Sequence, residues 1–347
     1  MPVADLETIG QRATGRRVTL ARPIGAGRNS RVFRLDLEPG APGEPGSVVV
    51  KFYRRDPGDT RDRLAAEYGA LSFLWGHGLR AIARPLACDR EAYCAVYEDL
   101  LGEVPSSATA TMADIDATVA FLATLKQLRG EPGAESLPVA SEACFSLAQL
   151  ADNIEGRYQR LAMSPRDSDR LALHEWLVST FEPLRTELLA WATARPAEAL
   201  LDASHRTLSP SDIGFHNMIR RDDGGLAFVD FEYFGWDDPA KMLVDFVLHP
   251  GMDLPDGHRA RYASGLLAVF ADDPGLRARA ETVYPLFGLK WCLIVLNEFL
   301  LGRSSVQQAA GLPAEAARDS RALQLAKADG IAHRIRHEYR ENPYLKS

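Results

Sequence analysis

The sequence predicts an α+β chain with a small antiparallel β-rich N-terminal lobe and a larger helical C-terminal lobe. Three observations predict it. The first hundred residues alternate in strand fashion between Gly- and Pro-rich turns. After Gly102 the apolar spacing becomes helical. A short strand-like island near residues 218–230 then interrupts the helices. The small lobe is placed at residues 1–100 and the large lobe at 101–347, with the boundary near Asp99 to Gly102. Two-lobed enzymes hold their ligands in the cleft between lobes.

The elements follow in order. Val18 to Ile24 and Arg31 to Leu37 read as strands around a loop, Gly25-Ala26-Gly27-Arg28-Asn29-Ser30. Pro39 to Gly46 is rich in Pro and Gly and reads as a hairpin connection. Ser47 to Tyr53 is a third strand. Leu64, Tyr68, Leu71 and Leu74 recur at helical spacing, so a helix is expected over Asp59 to about Trp75. Strands near Ala83 to Cys88 and Tyr93 to Glu98 complete the lobe. Helices are expected over Ala113 to Leu128, Arg170 to Ala194, and from Arg259 onward.

Composition excludes several classes. The 347 residues are 46% hydrophobic and 25% charged, which rules out a collagen-like or wholly disordered chain. The net charge of −7, with no Lys/Arg-rich run, argues against a nucleic-acid partner. The first hundred residues are close to neutral, and the negative charge lies beyond them. No targeting segment is found near Met1, and the longest apolar run, Trp291 to Leu296, is far too short to span a membrane. No obligatory protein partner is evident. Cys88, Cys94, Cys144 and Cys292 form neither a CxxC pair nor a zinc pattern; they are expected to be buried thiols in a reducing cytoplasm. Cys88 and Cys94 could also face each other across a hairpin.

The chemistry is concentrated in Ser209-Pro210-Ser211-Asp212-Ile213-Gly214-Phe215-His216-Asn217 and in Phe228-Val229-Asp230-Phe231-Glu232. Asn217 follows Asp212 by five positions, and Asp230 follows Asn217 by thirteen. A turn at Asp222-Asp223-Gly224-Gly225 makes the intervening segment a hairpin that brings Asp230 back beside Asn217. Asn217 and Asp230 can then share a hard divalent cation, which prefers oxygen ligands. Asp212 remains free to accept a proton. This is the layout of a kinase-type catalytic loop. His216 reads as a residue that either packs or supports the neighbouring site residues from behind, and His333 with His337 as part of a solvated helix face.

Supporting residues lie upstream in the expected order. Gly25, Gly27 and Ser30 form a loop whose backbone N–H groups can drape over phosphates. Lys51 lies among apolar strand residues and can bridge two phosphates. Glu67 on the following helix can pair with Lys51. The segment Tyr97-Glu98-Asp99-Leu100 ends the last strand, where the backbone at Glu98 and Leu100 can meet a base edge.

On these residues the chain resembles the aminoglycoside phosphotransferase and choline kinase superfamily, small-molecule kinases with a protein-kinase-like fold. The resemblance runs from about Val18 to about Leu301. It is anchored by Asp212, Asn217, Asp230 and the run Phe234-Gly235-Trp236-Asp237-Asp238-Pro239. It implies that Asp212 is the catalytic base, that Asn217 and Asp230 hold Mg²⁺, and that Lys51 holds the phosphates of ATP. Three positions depart from the family pattern. Pro210 stands where a His is usual, Ser30 where a third glycine is usual, and Glu232 closes the DFG-like triplet.

Only a few residues separate Asp230 from Trp236-Asp237-Asp238-Pro239, so there is no room for a protein kinase's activation segment. The acceptor is therefore expected to be a small-molecule hydroxyl. Glu232, Asp237, Asp238 and Asp245 make an acidic stretch that suits a cationic acceptor, with Tyr233 and Trp236 able to add cation–π contacts. Alternatively, Asp237 and Asp238 cap a helix starting at Pro239 and the two aromatics are core. Glu298 is a further candidate substrate contact. Two rival functions remain open: a pseudokinase-type binding module without turnover, and a sugar or glycan-precursor kinase.

Overall fold

The computed structural model describes residues 3–26, 29–55, 59, 61–196, 201–300 and 314–345. It is α+β, and its chain forms two compact units. One comprises Met1–Ala110, Ala120–Glu142 and Thr207–Trp236; the other comprises Thr111–Val119, Ala143–Arg206 and Asp237–Ser347.

The first unit is built on an antiparallel five-stranded sheet. Its strands are β1 (Val18–Ala26), β2 (Ser30–Leu37), β3 (Ser47–Tyr53), β4 (Pro85–Asp89) and β5 (Cys94–Glu98), in the order β1-β2-β3-β5-β4. An N-terminal helix, α1 (Val3–Thr14), which the strand-based reading did not anticipate, covers one face. Its Leu6 and Ile9 pack with Val18, Leu35, Val48, Val50, Phe52, Cys94 and Val96. Strand periodicity then assigns the other face. Since Val48, Val50 and Phe52 point into that core, Val49, Lys51 and Tyr53 point away from it, as do Ala95 and Tyr97 on β5. Lys51 pairs with Ala95 and Val49 with Tyr97, so these side chains form one patch.

Helix α2 (Arg63–Gly76) starts later than Asp59, because Asp62 caps it by accepting from the Ala65 N–H at 2.9 Å. Its buried residues include Leu64, Glu67, Leu71 and Leu74. The remaining strands of this unit are short. β6 (Thr207–Ser209) pairs with β9 (Gly235–Asp237), and β7 (Met218–Arg220) with β8 (Leu226–Phe228).

The cysteines are free thiols. Three are buried and Cys88 is exposed, which corrects the expectation of four buried ones. Cys88 pairs with Ala95 and Asp89 with Cys94, so the two thiols of the hairpin lie on opposite faces and do not meet.

The second unit is helical: α4 (Leu147–Ala162), α5 (Leu171–Trp176), α6 (Glu182–Thr193), α7 (Pro239–Leu248), α8 (Asp256–Val269), α9 (Leu276–Val295) and α10 (Ala314–Glu338). Helix α3 (Met112–Leu128) contributes to both units. The single helix expected over Arg170 to Ala194 is instead α5 and α6 joined through a π-turn at Leu177–Phe181. α7 is buried along its whole length, and its Lys241 is 1% exposed. The Lys241 Nζ lies 2.9 Å from Asp237 Oδ2 and 3.2 Å from Asp245 Oδ2. Burial alone would lower the ammonium's pKa; the two carboxylates outweigh it and hold the group above its ordinary value.

Two stability predictions follow from these contacts. Gly102 has a φ of +149°, and a Cβ there would lie 2.2 Å from the Arg220 carbonyl oxygen. It sits next to the paired Glu103–Arg220 bridge, whose two N–H···O bonds measure 2.9 and 2.8 Å. Gly102→Ala should therefore cost roughly 2–4 kcal/mol in urea unfolding. Lys241→Met would leave Asp237 buried without its cation and should cost about 3–5 kcal/mol by the same measurement. A shift of either midpoint below a few tenths of a kcal/mol would contradict the contact concerned.

Candidate functional site

The site grows from Lys51. Its position on the non-core face of the central strand β3 makes it a lysine that is only 6% exposed. A buried ammonium needs partners. Its Nζ donates at 2.7 Å to Glu67 Oε2 and at 2.7 Å to Asp230 Oδ1, and Glu232 Oε2 lies 3.9 Å away. Burial would depress the ammonium's pKa, but Glu67, Asp230 and Glu232 together hold it above the ordinary lysine value. Burial pushes the Glu67 carboxyl up, against the pull of Lys51. The two close carboxylates differ in access: the Glu67 side chain is 4% exposed and that of Asp230 is 42% exposed. Asp230 can therefore exchange Lys51 for another cation, whereas Glu67 is committed to it.

The loop Asp212 to Asn217 and the hairpin after it have the expected form. Met218 pairs with Phe228, Ile219 with Ala227 and Arg220 with Leu226. The Val229 N–H donates to the Asn217 carbonyl at 3.0 Å, closing the base of the hairpin beside Asp230. Asn217 Nδ2 donates to the Asp212 backbone carbonyl at 3.0 Å, which leaves its Oδ1 as the outward donor atom for a cation. An amide oxygen and a partly exposed carboxylate are a donor set that fits Mg²⁺. Two residues here are strained. Ser211 has a φ of +66° and Asp230 a φ of +65°, a region that non-glycine residues rarely occupy. The Ser211 N–H donates to Ser209 Oγ at 2.9 Å, which helps hold that turn.

A cleft of about 380 Å³ is lined by Gly25, Ser30, Lys51, Glu67, Tyr97, Glu98, Leu100, His216, Asn217 and Asp230, among others. It thus brings together nearly all of the residues singled out from the sequence. Gly27 lies outside the described residues. The Glu98 N–H donates to the Arg84 carbonyl at 2.9 Å, so it is not available to a ligand. Asp212 is not among the lining residues. His216 is exposed rather than packed, with 45% of its side chain accessible, and its Nε2 lies 3.6 Å from Asp212 Oδ1, where it can support that carboxylate, as the other half of the sequence reading expected.

The acidic stretch is not the open wall that the sequence implied. Asp237 is fully buried against Lys241. Asp238 accepts from the Ala240 N–H at 2.8 Å as the cap of α7 and pairs with Arg279 at 3.0 Å. Asp245 accepts from Trp291 Nε1 at 3.1 Å as well as from Lys241. Glu232 is 3% exposed and accepts from Asn29 Nδ2 at 2.7 Å. The same Asn29 nitrogen also donates to Tyr233 Oη at 2.6 Å. Trp236 Nε1 donates to the Ala134 carbonyl at 3.1 Å. The capping alternative therefore holds for Asp238, and the two aromatics are occupied by the protein's own groups. Asn29, Tyr53 and Tyr97 are the polar contacts that the sequence did not reveal. Their partners are far away in the chain, so no spacing rule could point to them. His333 and His337 are exposed, as expected, with their Nε2 atoms 3.2 Å apart.

Comparison with known proteins places this geometry. A model of the phosphotransferase enzyme family matches residues 21–281. A search of curated proteins returned no match. Among solved structures, a spectinomycin phosphotransferase in complex with ADP and spectinomycin aligns at a TM-score of 0.63 with 12% identity, covering 94% of this chain and 98% of that one. A macrolide 2′-phosphotransferase from Brachybacterium faecium aligns at 0.56 with 17% identity, covering 92% and 97%. A choline kinase from Cryptosporidium parvum aligns at 0.54 with 10% identity, covering 91% and 90%. With the family matched over three quarters of its length and the Lys51–Glu67–Asp230 cluster lining the cleft, the chain belongs to the phosphotransferase enzyme family and is a kinase-type phosphotransferase.

Proposed function

We propose that the protein transfers the γ-phosphate of ATP to a hydroxyl of a small metabolite or antibiotic. One observation carries this reading: a single lysine ammonium held at 2.7 Å by Glu67 and at 2.7 Å by Asp230, in a cleft large enough for a nucleotide. Unlike Lys241, whose two carboxylates are both buried, Lys51 shares one of its carboxylates, Asp230, with the open cleft. Among the described residues no helix is long and apolar enough to cross a membrane.

In this mechanism Lys51 binds the phosphates nearest the base, and Glu67 fixes its ammonium. Asn217 and Asp230 would hold Mg²⁺, which when bound neutralises phosphate charge. Gly25 and Ser30 sit where backbone groups can cover the phosphates, and Glu98 and Leu100 border the base. Asp212 orients the acceptor hydroxyl and takes its proton. His216 stands against Asp212; burial opposes its protonation, but the contact with Asp212 outweighs it and raises the imidazole pKa. The fold relatives act on spectinomycin, macrolides and choline, and these define the first panel.

The test is magnesium-dependent ADP release from ATP across aminoglycosides, macrolides, choline, ethanolamine, homoserine and common sugars. A hit should fall by about 10²–10⁴-fold in kcat in Asp212→Asn, with nucleotide binding retained. Lys51→Ala should instead weaken nucleotide binding directly. Turnover that survives Asp212→Asn unchanged would remove Asp212 from the role of base. Nucleotide binding without turnover on any acceptor would favour the binding-module alternative.

A further inference from the structure

Helix α10 carries a pair of side chains that phosphoryl transfer does not use. His333 and His337 are four positions apart, so they stand side by side, one turn apart, on the same face of the helix. Their neighbours fix which face that is. Ala332 and Ile335 are 2% and 0% exposed, and Ile335 packs so closely on Gly288 of α9 that a Cβ has no room there. This anchors the backbone of α10 from the buried side. His333 and His337 lie on the exposed side.

The geometry of the pair is that of two ligands to one ion. Their Nε2 atoms are 3.2 Å apart, with ring centroids 4.4 Å apart and planes inclined by 54°. Among the described residues neither ring has a hydrogen-bond partner other than its neighbour. At most one proton lies between two such nitrogens, and a neutral imidazole can carry its proton on Nδ1 instead. Both Nε2 lone pairs are then free to bind. Two nitrogens held by one Zn²⁺ at its usual bond length stand about 2.9 Å apart at a right angle and about 3.4 Å apart at the tetrahedral angle. The observed separation falls between these values, so one ion can reach both nitrogens with little movement of either ring.

We propose that His333 and His337 form a chelating site for a divalent transition metal of the Zn²⁺, Ni²⁺ or Cu²⁺ type. Imidazole nitrogen suits these ions, whereas Mg²⁺ takes oxygen. His337 lies in the last turn of α10, where the carbonyl end of the helix favours a cation. Among the described residues no thiol or carboxylate completes a three-ligand group with the pair, so water fills the remaining positions. The site is open, unlike the closed four-ligand sites that hold small folds together. Two imidazoles supply half of such a ligand set, which puts the dissociation constant on the order of 10–100 μM. A bound ion ties one helical turn to the next and so stabilises the folded α10 by linkage. The site belongs to the second unit and stands independently of the kinase reading.

The test titrates zinc chloride or nickel chloride into the full chain by calorimetry. Millimolar magnesium chloride is present throughout, so that oxygen donors are already served. The wild type should bind one ion per chain in this range of affinity. His333→Ala and His337→Ala should each weaken that event by about tenfold or more, because a single imidazole remains. His77→Ala, which removes a different exposed histidine, should leave it unchanged. Zinc should also raise the urea midpoint of the wild type, and this rise should be lost in both variants of the pair. Both histidines are exposed, so these variants keep the packing of α10. Binding retained within about twofold in His333→Ala or in His337→Ala overturns the proposal. So does the absence of any one-to-one event in the wild type up to millimolar metal. Failure of the acceptor panel would remove the kinase reading and leave this site untouched.

Discussion

The first unit is organised around one electrostatic constraint: an ammonium with almost no access to water. A lysine at the centre of a five-stranded sheet is tolerable only if carboxylates meet it there. Glu67 must come from a helix laid over the sheet, so α2 has to present that position inward among Leu64, Leu71 and Leu74. Asp230 must come from a hairpin 179 positions further on, so that hairpin has to close against the same sheet. The backbone tie from the Phe228 N–H to the Ala81 carbonyl, at 2.9 Å, does this. The stacked pair Phe121 and Phe228, with ring centroids 3.9 Å apart, adds apolar contact.

The arrangement is asymmetric in a way that suits ligand exchange. Glu67 is buried and held by Lys51 and Tyr53, so its charge is fixed in place. Asp230 is open to the cleft and sits on a backbone of positive φ. Strain of that kind persists only where surrounding structure enforces it. Ser211, in the turn before Asp212, shows the same feature. Tyr93 and Asp253, away from this loop and hairpin, are the other non-glycine residues with positive φ among those described.

The second unit repeats the rule of matched buried charge. Asp237, Lys241 and Asp245 form one cluster, and Asp238, Arg279 and Asp273 another, with Arg279 Nη2 2.7 Å from Asp273 Oδ2. Burial pushes the carboxyls of Asp237 and Asp238 up, and their cations oppose it. Four acidic residues in fourteen positions look like a ligand-binding surface in one dimension. In three dimensions most of that charge is spent on holding helices together, and little of it reaches solvent.

What the sequence by itself determined is local. Period-two alternation and Gly/Pro turns located the five strands of the sheet, and the intervals Asp212–Asn217–Asp230 located the loop and the hairpin after it, because a hairpin of that length has few ways to close. The helix α1 escaped notice because its apolar residues are too few to stand out, and the π-turn at Leu177–Phe181 because an extra residue in a helix leaves the apolar spacing almost intact. Only the tertiary structure decided which carboxylates face a ligand and which face a buried cation. It alone joined Asn29 to Glu232, and Tyr53 to both Glu67 and Tyr97. The physical reason is the same in each case. A hydrogen bond between distant segments depends on packing of whole elements, and nothing in the residues on either side of it records the partner.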